Sequence, residues 1–351
     1  MTMQNNNYSF TSKYKSRSGS LSNKEYRFTI IWYYFLLTMV FIFLLVGCGG
    51  TGPTAVPAEQ GFTSPVEGPV FINTSTQNPK IKITNNGAAT IEVQLRDNQG
   101  NLIQNEYIST FKEWTVNPNN EVWLICDNPP CSYSLTFPGN SFITGTGFSD
   151  KGKNVIFVNN SEVTIDQLIF TVTDNAITSG TSGTTIPSDS VVTIYDANGN
   201  TRLNLDIEDY FTLAFAVTLQ PGESVGLGCK GGQLAGTCPY QVFSTQTIVP
   251  AVVYGIPQVN MTVPGGSTQP IFTGSTDGNY YLVVTDNAVR DIQSDSMITI
   301  ENGKGITRAN FEVTDKWTLG VCETIKSGET IILRSAGPTT QWCTYDIFQI
   351  Q

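Results

Sequence analysis

Seven cysteines and no histidine set the chemistry open to this 351-residue chain. One thiol, Cys48, ends the apolar run FIFLLVGC. The other six fall as couples, Cys126/Cys131, Cys229/Cys238 and Cys322/Cys343. Without histidine there is no Ser-His-Asp or Cys-His nucleophile, and the commonest zinc ligand and pH switch are missing too. Carboxylate chemistry remains open. Its candidates are Asp206, Glu208 and Asp209, with Asp315 matching Asp209 at an offset of 106. They could act as a carboxylate pair on a glycosidic bond or ligate calcium. The plainer reading is a solvated strand end. The loops at Asp97–Asn101 and Asp196–Asn200 also carry oxygens suited to calcium, but a tight turn demands Asp and Gly by itself.

Charge and the N-terminus give the setting. Five of the 19 bases and one of the 29 acids precede Cys48, so 14 bases face 28 acids beyond it. A surface of that sign repels phosphate backbones, which argues against nucleic acid as a partner. Residues 28–47 carry no charge and are long enough to span a bilayer as a helix. Bases lie before the run and none close after it, so the positive-inside rule keeps the N-terminus in the cytoplasm and exports the rest. Leu45-Val46-Gly47-Cys48 resembles a bacterial lipobox. The resemblance to lipoproteins implies cleavage after Gly47 and a diacylglyceryl group on Cys48; Gly49 in place of Asp resembles the pattern that permits outer-membrane sorting. The alternative is an uncleaved signal anchor in which the cysteine is incidental. Residues 48–66, rich in Gly, Pro, Thr and Ala, read as a flexible tether.

Beyond the tether the chain repeats itself. TVNPNNEVWLIC (115–126) lies over TLQPGESVGLGC (218–229), and TLGVCETIKSGETIILRS (318–335) lies over residues 212–229. Val172-Thr173-Asp174-Asn175-Ala176 recurs at 284–288, with Ile83-Thr84-Asn85-Asn86 as a looser version. VQLRDNQGN (93–101), VTIYDANGN (192–200) and MITIENGKG (297–305) form another set, and Cys-x-Tyr closes each unit at Cys131, Cys238 and Cys343. Three tandem repeats are expected, at 67–146, 147–248 and 249–351. Short β-branched, alternating segments such as KIKIT, ATIEVQL and SVVTIYD, separated by turn signals, make each an all-β sandwich, Ig-like or jelly-roll-like. The repeats resemble extracellular β-sandwich modules in general, with no particular family marked by their motifs.

Exported modules of this size gain stability from a staple, so each cysteine couple is expected to be a disulfide within its repeat. In the third, Cys322 aligns with Ala216 and Ser335 takes the place of Cys229, which implies a bridge from another strand to the same last strand. Alternation puts Val122, Leu124 and Cys126 on one face of a strand and Trp123 and Ile125 on the other. Trp123 and Ile125 are candidate ligand contacts, for sugar or protein; the alternative packs Trp123 against the neighbouring repeat. Trp114, Trp317 and Trp342 are expected in the core or at packed edges. The expectation for function is a cell-surface lipoprotein in adhesion, ligand binding or structure, without catalysis and without a cofactor. Its partners would be the membrane, through lipid on Cys48, and a glycan or surface protein. The rival readings are a carbohydrate-active or calcium-dependent module and a subunit or anchor of an extracellular fibre.

Overall fold

In the computed structural model, residues 61–63, 67–127, 131–139, 141–142, 152–174, 190–207, 211–229, 238–287 and 295–351 are described. The 28–47 run, the lipobox with Cys48, and Glu208 and Asp209 lie outside them. All the described residues belong to one compact unit and are strands, turns and irregular segments. Among them no helix is long and apolar enough to cross a membrane.

The first strands are β1 (Gly61–Thr63), β2 (Glu67–Thr74), β3 (Lys80–Asn85), β4 (Ile91–Arg96), β5 (Leu102–Ile108), β6 (Phe111–Thr115), β7 (Glu121–Ile125) and β8 (Cys131–Thr136). They form two layers, ordered β5-β4-β7-β2 and β1-β8-β3-β6. The two-residue period decides what is buried. Ile91, Val93 and Leu95 of β4 and Val122 and Leu124 of β7 point inward, against Ile81, Ile83, Tyr133 and Leu135 of the other layer. One expectation is corrected here. Part of the supposed tether is a strand, because the backbone of Gly61–Thr63 pairs with the otherwise open edge of β8.

The same order recurs. Next come β9 (Ser141–Phe142), β10 (Gly152–Asn159), β11 (Ile165–Thr173), β12 (Ser190–Tyr195), β13 (Thr201–Ile207), β14 (Thr212–Leu219), β15 (Ser224–Cys229) and β16 (Tyr240–Ser244), as β13-β12-β15-β10 and β14-β11-β16-β9. The last are β17 (Ile248–Pro250), β18 (Val252–Val253), β19 (Ile256–Pro257), β20 (Met261–Pro264), β21 (Thr268–Thr273), β22 (Gly278–Asp286), β23 (Ser296–Glu301), β24 (Thr307–Val313), β25 (Thr318–Ile325), β26 (Thr330–Arg334) and β27 (Trp342–Ile350). Their layers are β24-β23-β26-β21 and β25-β22-β27, with β17 and β20 both on β27. The hairpin turns match as well. Asp97, Asp196 and Asn302 each accept two backbone N–H bonds from residues two and four positions on. The third turn thus aligns on Asn302, one residue later than a direct match of ENGKG to DANGN places it.

Parallel pairings weld the strand groups. Strand β2 joins β14, with Phe71 opposite Ala214, and β10 joins β25, with Phe157 opposite Gly320. Small residues opposite each Phe let the backbones approach; a Cβ on Gly320 would lie 2.7 Å from the Phe157 ring. Two sheets therefore run on from one group into the next, as eight and nine strands. Buried asparagines brace both seams. Asn159 donates to Val163 and Leu219 carbonyls at 3.0 and 2.9 Å and accepts from Ser161; Asn73 does the same for Gln77, Val116 and Ser75.

Two of the three expected bridges are present. Cys126–Cys131 and Cys229–Cys238 link strand ends whose Cα atoms are 6.0 and 5.9 Å apart. The third is corrected: Cys322 and Cys343 are free and buried. On β22 the residue opposite Cys322 is Tyr281 and that opposite Cys343 is Asp286, an odd separation that puts the thiols on opposite faces of one sheet. Five residues of strand, about 17 Å, separate them along the sheet, far beyond the roughly 6 Å Cα spacing of a bridge. Cys322 faces the seam shared with β10, while Cys343 sits in the last core.

Candidate functional site

Trp123 does lie on the outer face of β7, half-buried beside Ile125. Its neighbours come from β4 across the sheet. The Arg96 guanidinium lies 4.3 Å from the centre of the indole, and the indole N–H donates to Glu121 at 2.7 Å. Arg96 also pairs with Glu67 and donates to Gln94. A sugar stacking on this ring would have to displace Arg96, so the residue is part of a polar lattice on the sheet. Beside it runs a groove of about 340 Å³ between β2 and β13, with Ile72, Leu203 and Leu205 as apolar walls and Arg202 and Glu121 at its lip. Of the other tryptophans, Trp114 and Trp317 are buried, whereas Trp342 is half exposed at the start of β27.

The sequence-expected carboxylates do not converge. Asp206 is exposed on β13, remote in sheet order from Asp315 beyond β24. Asp315 instead meets Asp295, whose carboxylate accepts its backbone N–H at 3.3 Å. Asp295 and Glu312 belong to the wall of a cleft of about 500 Å³, with Arg334, Met297 and Ser335. The β23–β24 hairpin brings them together, since Met297 pairs with Glu312. Hydrogen bonding to Asp295, and then its charge, pushes the Glu312 carboxyl above the usual carboxylate range. Glu312 is in hydrogen-bonding contact with Asp295, closer than the about 5 Å or more between carboxyls that glycosidic hydrolysis needs. The cleft is thus lined by carboxylate oxygens and by the Arg334 side chain. Among the described residues no group of three acids or cysteines is placed to hold a metal.

No family model matches the chain, and no curated protein does. Two solved structures are similar in trace. One is the lipid-containing bacteriophage PM2, at 8% identity over 85% of this chain and 98% of that one, with a TM-score of 0.16. The other carries the description "The Triple Jelly Roll Fold and Turret Assembly in an Archaeal Virus", at 12% identity over 84% and 83%, also with a TM-score of 0.16. At that score neither likeness carries an argument.

Sequence reasoning missed two features. Nothing in the sequence paired Asp295 with Glu312. The hairpin β18–β19 escaped notice as well, though a signal was present: no charged residue stands between Lys230 and Asp277. The free thiols are chemically quiet. Burial pushes Cys322 up to about 12 and Cys343 up to about 11, so neither is a thiolate near neutral pH.

Proposed function

We propose that the chain is three copies of one jelly-roll-like module, displayed outside the cytoplasmic membrane and held there through lipid on Cys48, with a structural or binding role and no catalysis. The observation that carries this reading is the repeated seam. Phe71 opposite Ala214 and Phe157 opposite Gly320 are the same parallel addition of one module's edge strand, β2 or β10, to the next module's sheet. Such welding makes a stiff scaffold, which suits displaying a surface and gives nothing to a reaction. The two disulfides favour an oxidising compartment. In cells fed an alkyne-bearing palmitate, the wild-type chain should take up label and Cys48→Ser should not. Label on the variant, or protease resistance of the chain in intact cells with exposed surfaces, would remove the anchored reading.

A second reading has its own support in the Asp295–Glu312 cleft: a non-catalytic site for a polar ligand such as a sugar. Glycan-array binding that is lost in Arg334→Ala and kept in Trp123→Ala would place recognition there.

A further inference from the structure

We propose that the groove at the first seam, where β2 joins β14 and runs beside β13, is a binding site for an uncharged sugar. The proposal rests on the three-module reading, because it comes from setting one seam against its copy. Ile72, Leu203 and Leu205 form the apolar side of the groove, and Asn98, Asn119, Glu121 and Arg202 the polar side. Its volume of about 340 Å³ lies at the low end for ligand pockets and suits a compact ring better than an extended segment.

The two asparagines set the first group apart. Asn119 stands where the later groups have Gly222 and Gly328, and all three adopt a left-handed φ, of 62°, 85° and 83°. Glycine takes that conformation without steric cost and asparagine only at some cost. The turn itself does not require the amide, since both its copies are made with glycine. Asn98 stands where the matching hairpin turns have Ala197 and Gly303. In the second group these two places nearly touch: a Cβ on Gly222 would lie 2.8 Å from that of Ala197. The same corner of the first group carries two amides instead. Among the described residues neither side chain has a hydrogen-bond partner, so each keeps its NH₂ donors and its carbonyl acceptor for a ligand.

Arg202 differs from its copy in the same sense. Arg308, which matches it, bonds Glu323 at 2.7 Å and Glu329 at 3.0 Å. Arg202 has the Thr218 carbonyl at 3.1 Å and Glu223 at 3.5 Å, and Val217 takes the place of Glu323. Part of its five-donor guanidinium is therefore left to bond a ligand.

The chemistry of these groups selects the ligand. Neighbouring hydroxyls of a sugar ring both donate and accept, which matches two amides and a guanidinium, while the C–H face of the ring meets Ile72, Leu203 and Leu205. An anion is repelled by the acidic chain. Beyond the Arg202–Glu223 pair, the groove offers a cation only Glu121, which already accepts the Trp123 indole N–H at 2.7 Å.

The test applies the full chain, in a sugar-free detergent and with both disulfides intact, to an array of uncharged glycans, and titrates the retained sugar by calorimetry. Asn119→Gly and Asn98→Ala install the residues that the second group has at these places, and circular dichroism should match wild type in both. Each should bind the retained sugar at least tenfold more weakly. Retention of no uncharged glycan, or equal affinity in wild type and both variants, would overturn the site. So would a sugar lost in Arg334→Ala and kept in Asn119→Gly, which would belong to the Asp295–Glu312 cleft. Palmitate label on Cys48 is read separately, so a failure here leaves the anchored reading standing.

Discussion

The Tyr133 hydroxyl donates to the main-chain carbonyl of Thr212 at 2.8 Å, and the Tyr240 hydroxyl does the same for Thr318, 106 residues further along. Both phenols are fully buried, and burial pushes their ionisation far above the ordinary tyrosine value. The Cys-x-Tyr step therefore has two tasks in these groups: the cysteine closes its own hairpin, and the tyrosine, two residues on and on the same face, ties that hairpin to the next sheet.

Tyr133→Phe keeps the ring and removes only the donor. The Thr212 carbonyl is then left without this bond in a buried seam, a loss of about 1–3 kcal/mol. Urea unfolding should show a lower midpoint. Because both groups belong to one compact unit, fluorescence and circular dichroism should shift together. An unchanged midpoint would mean that water satisfies the carbonyl and that the seam does not depend on the phenol.

Ser335→Cys should create the bridge that the third group lacks. Ser335 aligns with Cys229, and the Cys343 thiol lies against the hydroxyls of Ser296, at 3.1 Å, and Ser335. Cys238 has a similar setting, beside Ser190 at 3.3 Å and the Asp174 carboxylate. Closing so short a loop stabilises by at most about 2.5 kcal/mol. Non-reducing peptide mapping should find the introduced thiol bridged to Cys343 and leave Cys322 alkylatable after unfolding. A Cys322–Cys343 peptide from native protein would contradict the sheet placement itself.

How much was legible in the sequence follows the range of the interaction. Alternation fixed the faces of β4 and β7, because burial in a sandwich repeats every second residue. Spacing revealed Cys126–Cys131 and Cys229–Cys238, because a short hairpin brings its own ends together. Cys322 was misread because its side of β25 faces a seam with another strand group, and a period-two pattern does not tell a core face from a seam face. Arg96 over Trp123 and Glu312 beside Asp295 are cross-strand neighbours, set by register. The seams left only a faint trace, in Val70-Phe71, Ile156-Phe157 and Ile271-Phe272.

Glu323 gives a pH-dependent seam. It sits where the preceding group has Val217, 1% exposed, with Arg308 at 2.7 Å and the Asn160 amide at 2.6 Å. Burial raises its carboxyl above the usual value, and the Asn160 and Arg308 bonds only partly offset that. A raised value in the fold means that the acid form is the stabilised one: the contribution is complete below the unfolded carboxyl value of about 4.5 and is lost as pH climbs through the folded value. Glu329, on the same arginine, runs the other way. Burial would raise it, but the Lys326 N–H and Arg308 outweigh burial, so its contribution is lost as pH falls. In Glu323→Gln the first component disappears. The stability of the variant relative to wild type should rise between pH 4 and 7, by about 1.4 kcal/mol for each unit of the shift. A parallel pair of stability curves would show that the Glu323 carboxyl titrates alike in the folded and unfolded chain, against the raised folded value.

The asparagine braces predict an asymmetry between positions that look alike. Asn159→Ala leaves the Leu219 and Val163 carbonyls and the Ser161 hydroxyl without their buried partner, and the loss should be about 2–4 kcal/mol. Asn73→Ala should behave similarly, since Val116, Gln77 and Ser75 stand in the same relation. The third group has Gly274 at this place, at the open end of β21. Restoring the motif with Gly274→Asn should not help, because a Cβ there would lie 2.9 Å from both the Ile325 side chain and the Lys326 carbonyl. The expected outcome is a loss of about 1–3 kcal/mol from overpacking. Differential scanning calorimetry of the three single variants would decide it: a stabilised Gly274→Asn would mean that β21 retains the seam geometry of β2 and β10, and that its open edge is built to take another strand.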